Sequence, residues 1–103
     1  MKLWIDDVRQ APDGWTWAAT SADAIHHIVM THITGGSLDE ISFDHDLGGD
    51  DTGYIVARMI EKAAVHGIYL GPCVWHVHSA NPVGKANIIA AMKSAERFWG
   101  REE

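Results

Sequence analysis

Apolar residues recur along this chain in short runs that stop at charged or turn-forming clusters. Lys2 to Ile5 is the first run and ends abruptly at Asp6 and Asp7, as a buried strand does when its carboxyl end opens onto a polar edge. Pro12, Asp13 and Gly14 make Arg9 to Gly14 a loop, and Trp15 to Ala19 reads as a second strand. Thr20 or Ser21 can cap a helix in which Ile25, Ile28, Val29 and His32 recur at helical spacing, before Gly35 and Gly36 end it. Glu40 to Phe43 predicts a third strand, which runs into the dense segment Asp44-His45-Asp46-Leu47-Gly48-Gly49-Asp50-Asp51. Thr52 is then placed to cap a helix reaching about His66, with Gly67 as its stop. Val74 to His78 is the fourth predicted strand. Asn81 can cap the last helix with Pro82 at its first position, and Ile88, Ile89, Met92, Ala95 and Trp99 give that helix an apolar stripe up to Gly100.

Strands alternate with helices after the second strand, which predicts an α/β protein with a mostly parallel sheet. In such sheets the ligand sits beyond the carboxyl ends of the strands. Three of the four strands end in polar clusters: Asp6-Asp7, Asp44-His45-Asp46 and His76-Val77-His78-Ser79. Distant in sequence, they are expected to converge on one edge.

Length and charge narrow the classes. With 103 residues there is room for one core, so residues 1–103 are read as a single domain. Eight Lys plus Arg against 14 Asp plus Glu give a formal net charge of −6, which argues against coating DNA, since Lys and Arg supply most phosphate-backbone affinity. One cysteine, Cys73, cannot close an intrachain disulfide, and Met1 leads straight into a strand-like run, so a cytoplasmic protein is expected. No apolar run approaches the ~18 to 20 residues of a membrane span. Seven His and five Trp are many for this length. His26, His27, His32 and His66 fall on helices and read as surface residues. The Trp residues read mostly as core or boundary fillers, with base stacking by Trp15 and Trp17 a weaker reading.

At the predicted edge, Asp6, Asp7 and Asp44 crowd carboxylates that cannot all stay ionised cheaply without a counter-cation. A divalent ion is the expected remedy: Mg²⁺ favours one or two carboxylates with waters and a substrate phosphate, and Mn²⁺ or Zn²⁺ would suit a site that includes imidazole. Asp46 is a further candidate ligand. His76 and His78 share one face of their strand, with His78 at the crevice and His76 one pleat deeper. His45 and His78 are expected to give and take protons, with Asp44 as a catalytic partner. Asn81 and Lys85 at the start of the last helix, and Arg9 after the acidic pair, are the candidate phosphate-binding groups.

These motifs resemble those of response-regulator receiver domains. That family's paired acids are matched by Asp6 and Asp7, its phosphoacceptor by Asp44, and its hydroxyl-Ala pair by Ser79-Ala80, which makes Ser79 a candidate phosphate contact. The chain departs from receivers in having no room for a helix between its first two strands, and no fifth strand with its lysine. Lys85, the nearest lysine, lies in a helix start. Leu3-Trp4-Ile5-Asp6-Asp7-Val8-Arg9, Asp44-His45-Asp46-Leu47-Gly48 and His76-Val77-His78-Ser79-Ala80-Asn81-Pro82 together resemble a shortened, receiver-derived family, the cyclic-phosphate processing receiver domains. The resemblance implies a trimmed flavodoxin-like, three-layer fold with about four parallel strands in the order 2-1-3-4 and helices on the faces. It also implies action on a cyclic or terminal phosphate of a nucleotide or RNA end. A metal-dependent phosphoesterase is the leading expectation, and a non-catalytic module binding a nucleotide or protein partner is the alternative. Phosphorylation at Asp44 is disfavoured by the missing lysine. The exposed fourth-strand edge, Val74 to His78, is a candidate homodimer contact.

Overall fold

The computed structural model describes residues 1–72 and 74–100, so Cys73 lies outside the described residues. The elements run β1 (Lys2–Ile5), β2 (Thr16–Ala18), α1 (Ser21–Ile33), β3 (Glu40–Phe43), α2 (Gly53–Val65), β4 (Val74–Val77) and α3 (Pro82–Trp99). The second strand is shorter than the predicted Trp15 to Ala19, because only Thr16, Trp17 and Ala18 find partners on β1. All pairings are parallel, in the order β2-β1-β3-β4. This is the expected trimmed receiver-like α/β sheet.

Local signals set the helix ends. Thr20 caps α1 by accepting the Asp23 N–H at 3.1 Å, and Asn81 caps α3 by accepting the Gly84 N–H at 3.0 Å, with Pro82 in the first turn. Gly100 closes α3 in the left-handed conformation, φ 75°. Thr52 holds the N-cap position of α2 without a side-chain cap bond. Its neighbour Asp51 instead accepts the Ser21 N–H at 2.9 Å and the Ser21 hydroxyl, tying the loop after β3 to the start of α1.

The layering differs from the three-layer expectation. Leu3, Ile5, Ala18, Ile41 and Phe43 are fully buried on one face of the sheet, and they join Ala24 and Ile28 of α1, Val56 and Ile60 of α2, and Ile88 and Met92 of α3 in one core. The steps β2 to β3 and β3 to β4 cross the sheet in the same direction, so right-handed crossovers put α1 and α2 on the same side, and α3 packs beside α2. The step β1 to β2 runs the other way and has no helix to cover the opposite face. Lys2, Trp4, Trp17, Glu40, Ser42, Val74 and His76 therefore stand on a face without helices. Among the described residues the fold has two layers, and its second sheet face meets the loop after β1: Trp4 donates its indole N–H to the Arg9 carbonyl at 3.0 Å, Trp15 meets Trp4 edge-on with centroids 6.0 Å apart, and the Lys2 ammonium lies 5.8 Å from the centre of the Trp15 ring. None of the described helices is long and apolar enough to cross a membrane.

Candidate active site at the strand ends

Register builds the site. Ile5, Phe43 and Val77 are aligned across β1, β3 and β4, so the next residues, Asp6, Asp44 and His78, are neighbours. Ladder-like bonds continue past the strand ends, with Asp44 N–H donating to the Ile5 carbonyl at 2.9 Å and His78 N–H to the Phe43 carbonyl at 2.9 Å. One oxygen of each aspartate and one ring nitrogen of His78 lie within 4.8 Å of one another.

Asp6 is 1 % exposed, and both of its oxygens have partners. Its Oδ1 accepts the N–H groups of Val8 at 2.9 Å and Arg9 at 2.8 Å, and its Oδ2 stands 3.0 Å from His78 Nε2. Burial alone would raise its pKa, but those two backbone N–H groups and His78 outweigh it and hold the carboxyl below the ordinary value. Asp44 goes the other way: burial, with the Asp6 charge beside it, pushes its carboxyl above the ordinary value. Two neighbouring carboxylates thus have opposite tendencies, as expected where one of two adjacent like charges takes the stabilising hydrogen bonds.

His78 is held on three sides. Its ring stacks on Trp4 at 4.0 Å and 5° between planes, its Nδ1 is 2.7 Å from Ser42 Oγ, and its Nε2 faces Asp6. Ser42 is buried and was not singled out in the sequence; a serine on a strand carries no signal until the register sets it beside a histidine. A hydroxyl can donate or accept, so it satisfies either neutral tautomer of His78.

Other candidates are distributed around this trio. Arg9 is close: its Nε lies 3.8 Å from Asp6 Oδ2 and its guanidinium reaches the His78 carbonyl at 3.5 Å. Asp7 is exposed and lies outside the metal-competent group, its Oδ2 beside Gly48, so His78 stands where the sequence placed a third carboxylate. His45 turns away toward α3, where its ring abuts Gly84 so closely that a Cβ there would stand 2.2 Å from its Cγ. Its Nδ1 pairs with Asp46 Oδ1 at 3.0 Å, and Asp46 Oδ2 accepts from Asn81 Nδ2 at 3.3 Å. The His45 and Asn81 bonds keep the Asp46 carboxyl below its ordinary value. His45, Asp46 and Asn81 therefore fasten the loop after β3 to α3, apart from the trio. Ser79 Oγ accepts the Asn81 N–H at 3.1 Å at that same helix start, and Lys85 is exposed in the first turns of α3. His76 lies on the same face as His78, one pleat deeper, and is 51 % exposed with its Nε2 2.6 Å from Glu40.

A family model described as cyclic-phosphate processing receiver domain matches residues 1–94. The chain belongs to the cyclic-phosphate processing receiver domains. No curated protein and no solved structure matches it. In this cyclic-phosphate processing receiver domain, the aspartates after β1 and β3 meet at the strand ends, and His78 joins them from the end of β4.

The raised Asp44 gives a stability test. A carboxyl whose folded pKa lies above its unfolded value costs stability at neutral pH, and that cost disappears as pH falls below the unfolded value. In chelator-treated protein, Asp44→Asn is expected to raise the melting temperature at pH 7, because Asn Oδ1 can still accept the His45 N–H. The advantage should shrink as pH falls through the acidic range. Differential scanning calorimetry from pH 7 to pH 3 checks both the sign and the trend.

Proposed function

We propose that the protein hydrolyses a cyclic phosphate of a nucleotide or RNA end to a monoester, assisted by a divalent ion. The observation that supports this most is the meeting of Asp6, Asp44 and His78 at one strand-end edge with Arg9 beside them. A hard divalent ion fits the donor set: two carboxylate oxygens are in reach, and a cation would favour the ionised form of Asp44, whose carboxyl is raised by burial and by the Asp6 charge beside it. Asp6 and Asp44 would hold Mg²⁺, or Mn²⁺ in its place. The ion would neutralise phosphate charge and polarise a phosphoryl oxygen.

The chain's own groups do the rest. Hydrolysis forms one P–O bond from water and breaks one ester P–O bond; a proton leaves the water and a proton reaches the departing ribose oxygen. His78 moves a proton through Nε2, because imidazole both gives and takes protons near neutral pH and this ring is fixed by Trp4 and Ser42. Arg9 supplies positive charge to the phosphate. Ser79 follows His78 in the chain, and the exposed Lys85 in the first turns of α3 can attract the anion before it docks.

Turnover of a panel of 2′,3′- and 3′,5′-cyclic nucleotides with Mg²⁺, Mn²⁺ and Zn²⁺ tests the reading. The expected result is monoester release from 2′,3′-cyclic substrates that stops on chelation. Mg²⁺ or Mn²⁺ should also raise the melting temperature of the wild type by mass action on the native state, and Asp6→Asn or Asp44→Asn should lose that response. If no substrate turns over while one binds tightly in calorimetry, the protein is a binding module. A wild-type melting curve unmoved by any metal would remove the metal from the mechanism.

A further inference from the structure

We infer that Trp17 stacks the nucleobase of the substrate, so that the protein takes nucleoside cyclic phosphates in preference to cyclic phosphates without a base. This rests on the proposed cyclic-phosphate site and names the part of the substrate beside the phosphate. Trp17 is 41 % exposed, and its indole N–H donates to the main-chain carbonyl of Asp6 at 2.7 Å. A large apolar ring is thus pinned to the same residue that forms the acidic edge, one strand spacing away, about 4.8 Å and close to the reach of a ribose. The other rings near the site are occupied: Trp4 is covered by His78 and meets Trp15, and Trp15 lies under the Lys2 ammonium. Val8, 79 % exposed, adds apolar surface in the loop that leaves Asp6.

The size of the face favours a small flat occupant. Parallel sheets are ordinarily covered on both faces, and this one is not. Four short strands offer roughly 250 Å², well below the ~800 Å² per partner of a stable protein interface. A nucleobase fits that area, has a π-face for the indole, and brings its own phosphate to Asp6, Asp44 and His78.

The test measures affinities by calorimetry for a 2′,3′-cyclic nucleotide and for glycerol 1,2-cyclic phosphate, on wild type, Trp17→Ala and Trp17→Phe. Wild type is expected to prefer the nucleotide, purine over pyrimidine. Trp17→Ala should collapse that preference by about 5- to 100-fold, while Trp17→Phe keeps most of it, since the ring remains although its N–H bond to Asp6 is gone. If Trp17→Ala does not fold, Trp17→Phe decides through fluorescence: stacking predicts that it loses the part of the nucleotide-induced quench that Trp17 contributes. A wild type without preference, a Trp17→Ala that weakens both ligands equally, or a quench identical in wild type and Trp17→Phe overturns the inference. Binding with the expected preference but without turnover would sink the hydrolase reading and leave the stacking intact; a wild type that binds neither ligand removes both.

Discussion

Gly53→Ala is expected to be the most destabilising small substitution in this protein. Gly53 opens α2 directly behind the loop from β3, and a Cβ there would stand 2.0 Å from the main-chain oxygen of Asp44 and 3.2 Å from its carbonyl carbon. Main chain cannot rotate out of the way as a side chain can. Relief would require α2 to move off the end of β3, stretching the 2.7 Å bond from Gly53 N–H to the His45 carbonyl. Overpacking typically costs 1–3 kcal/mol, and a clash with fixed backbone belongs at or above the top of that range. About 3 kcal/mol corresponds to a fall of roughly 12–24 °C in melting temperature for a domain of this size. Gly49→Ala is the comparison: its φ of +56° strains an alanine, but nothing lies within 4 Å of the new Cβ. Thermal unfolding of the two variants should rank Gly53→Ala far below Gly49→Ala. Equal losses would mean that the approach of α2 to Asp44 is looser than the structure shows.

His78→Ala should abolish most hydrolysis, by ~10² to 10⁴ in kcat, the usual range for removing a positioned acid or base. It removes the one imidazole in the trio and leaves Asp6 buried without its Nε2 partner. Some stability will be lost as well, since the Trp4 stack goes with it. His76→Ala controls for the strand: that ring is half exposed and pairs with the surface carboxylate of Glu40, so both activity and stability should change little. His45→Ala is expected to fall between them, because its ring braces the start of α3 rather than facing the carboxylates. Steady-state kinetics on the three variants, with circular dichroism to confirm folding, orders them. If His45→Ala loses as much as His78→Ala, the proton-moving role of His78 is wrongly assigned.

The sheet was readable because its strands end in unmistakable polarity. Three of the four apolar runs stop at Asp6, Asp44 or the His76-to-Ser79 cluster, and parallel pairing then obliges those ends to meet. The single covered face was harder to read: only Glu-Ile-Ser-Phe alternates with the period 2 of a strand buried on one side, while Trp4 and Val74 put apolar residues on the uncovered face of β1 and β4. What sequence could not supply was direction within the polar clusters. Adjacent acids on a strand end point to opposite sides, so only one of Asp6 and Asp7 could join Asp44, and only register selects it. The same holds for His45 against His78. Ser42 became visible as a site residue only when β3 was laid beside β4, and Trp17, a weaker base-stacking reading together with Trp15, was separated from it only when its indole N–H met the Asp6 carbonyl.

His78 rides on β4, a four-residue strand at the margin of the sheet, while Asp6 and Asp44 belong to its two central strands. Asp6 and His78 are 72 residues apart in sequence and meet across β3 through Oδ2 and Nε2, with the Arg9 guanidinium reaching the His78 carbonyl beside them. Marginal strands open more often than central ones, because they have neighbours on one side only. Each local opening of β4 therefore withdraws the imidazole and leaves the carboxylates in place, so the occupancy of the working arrangement is set by the fraying of one strand, and a ligand that bridges acid and imidazole fastens that strand to the rest of the protein.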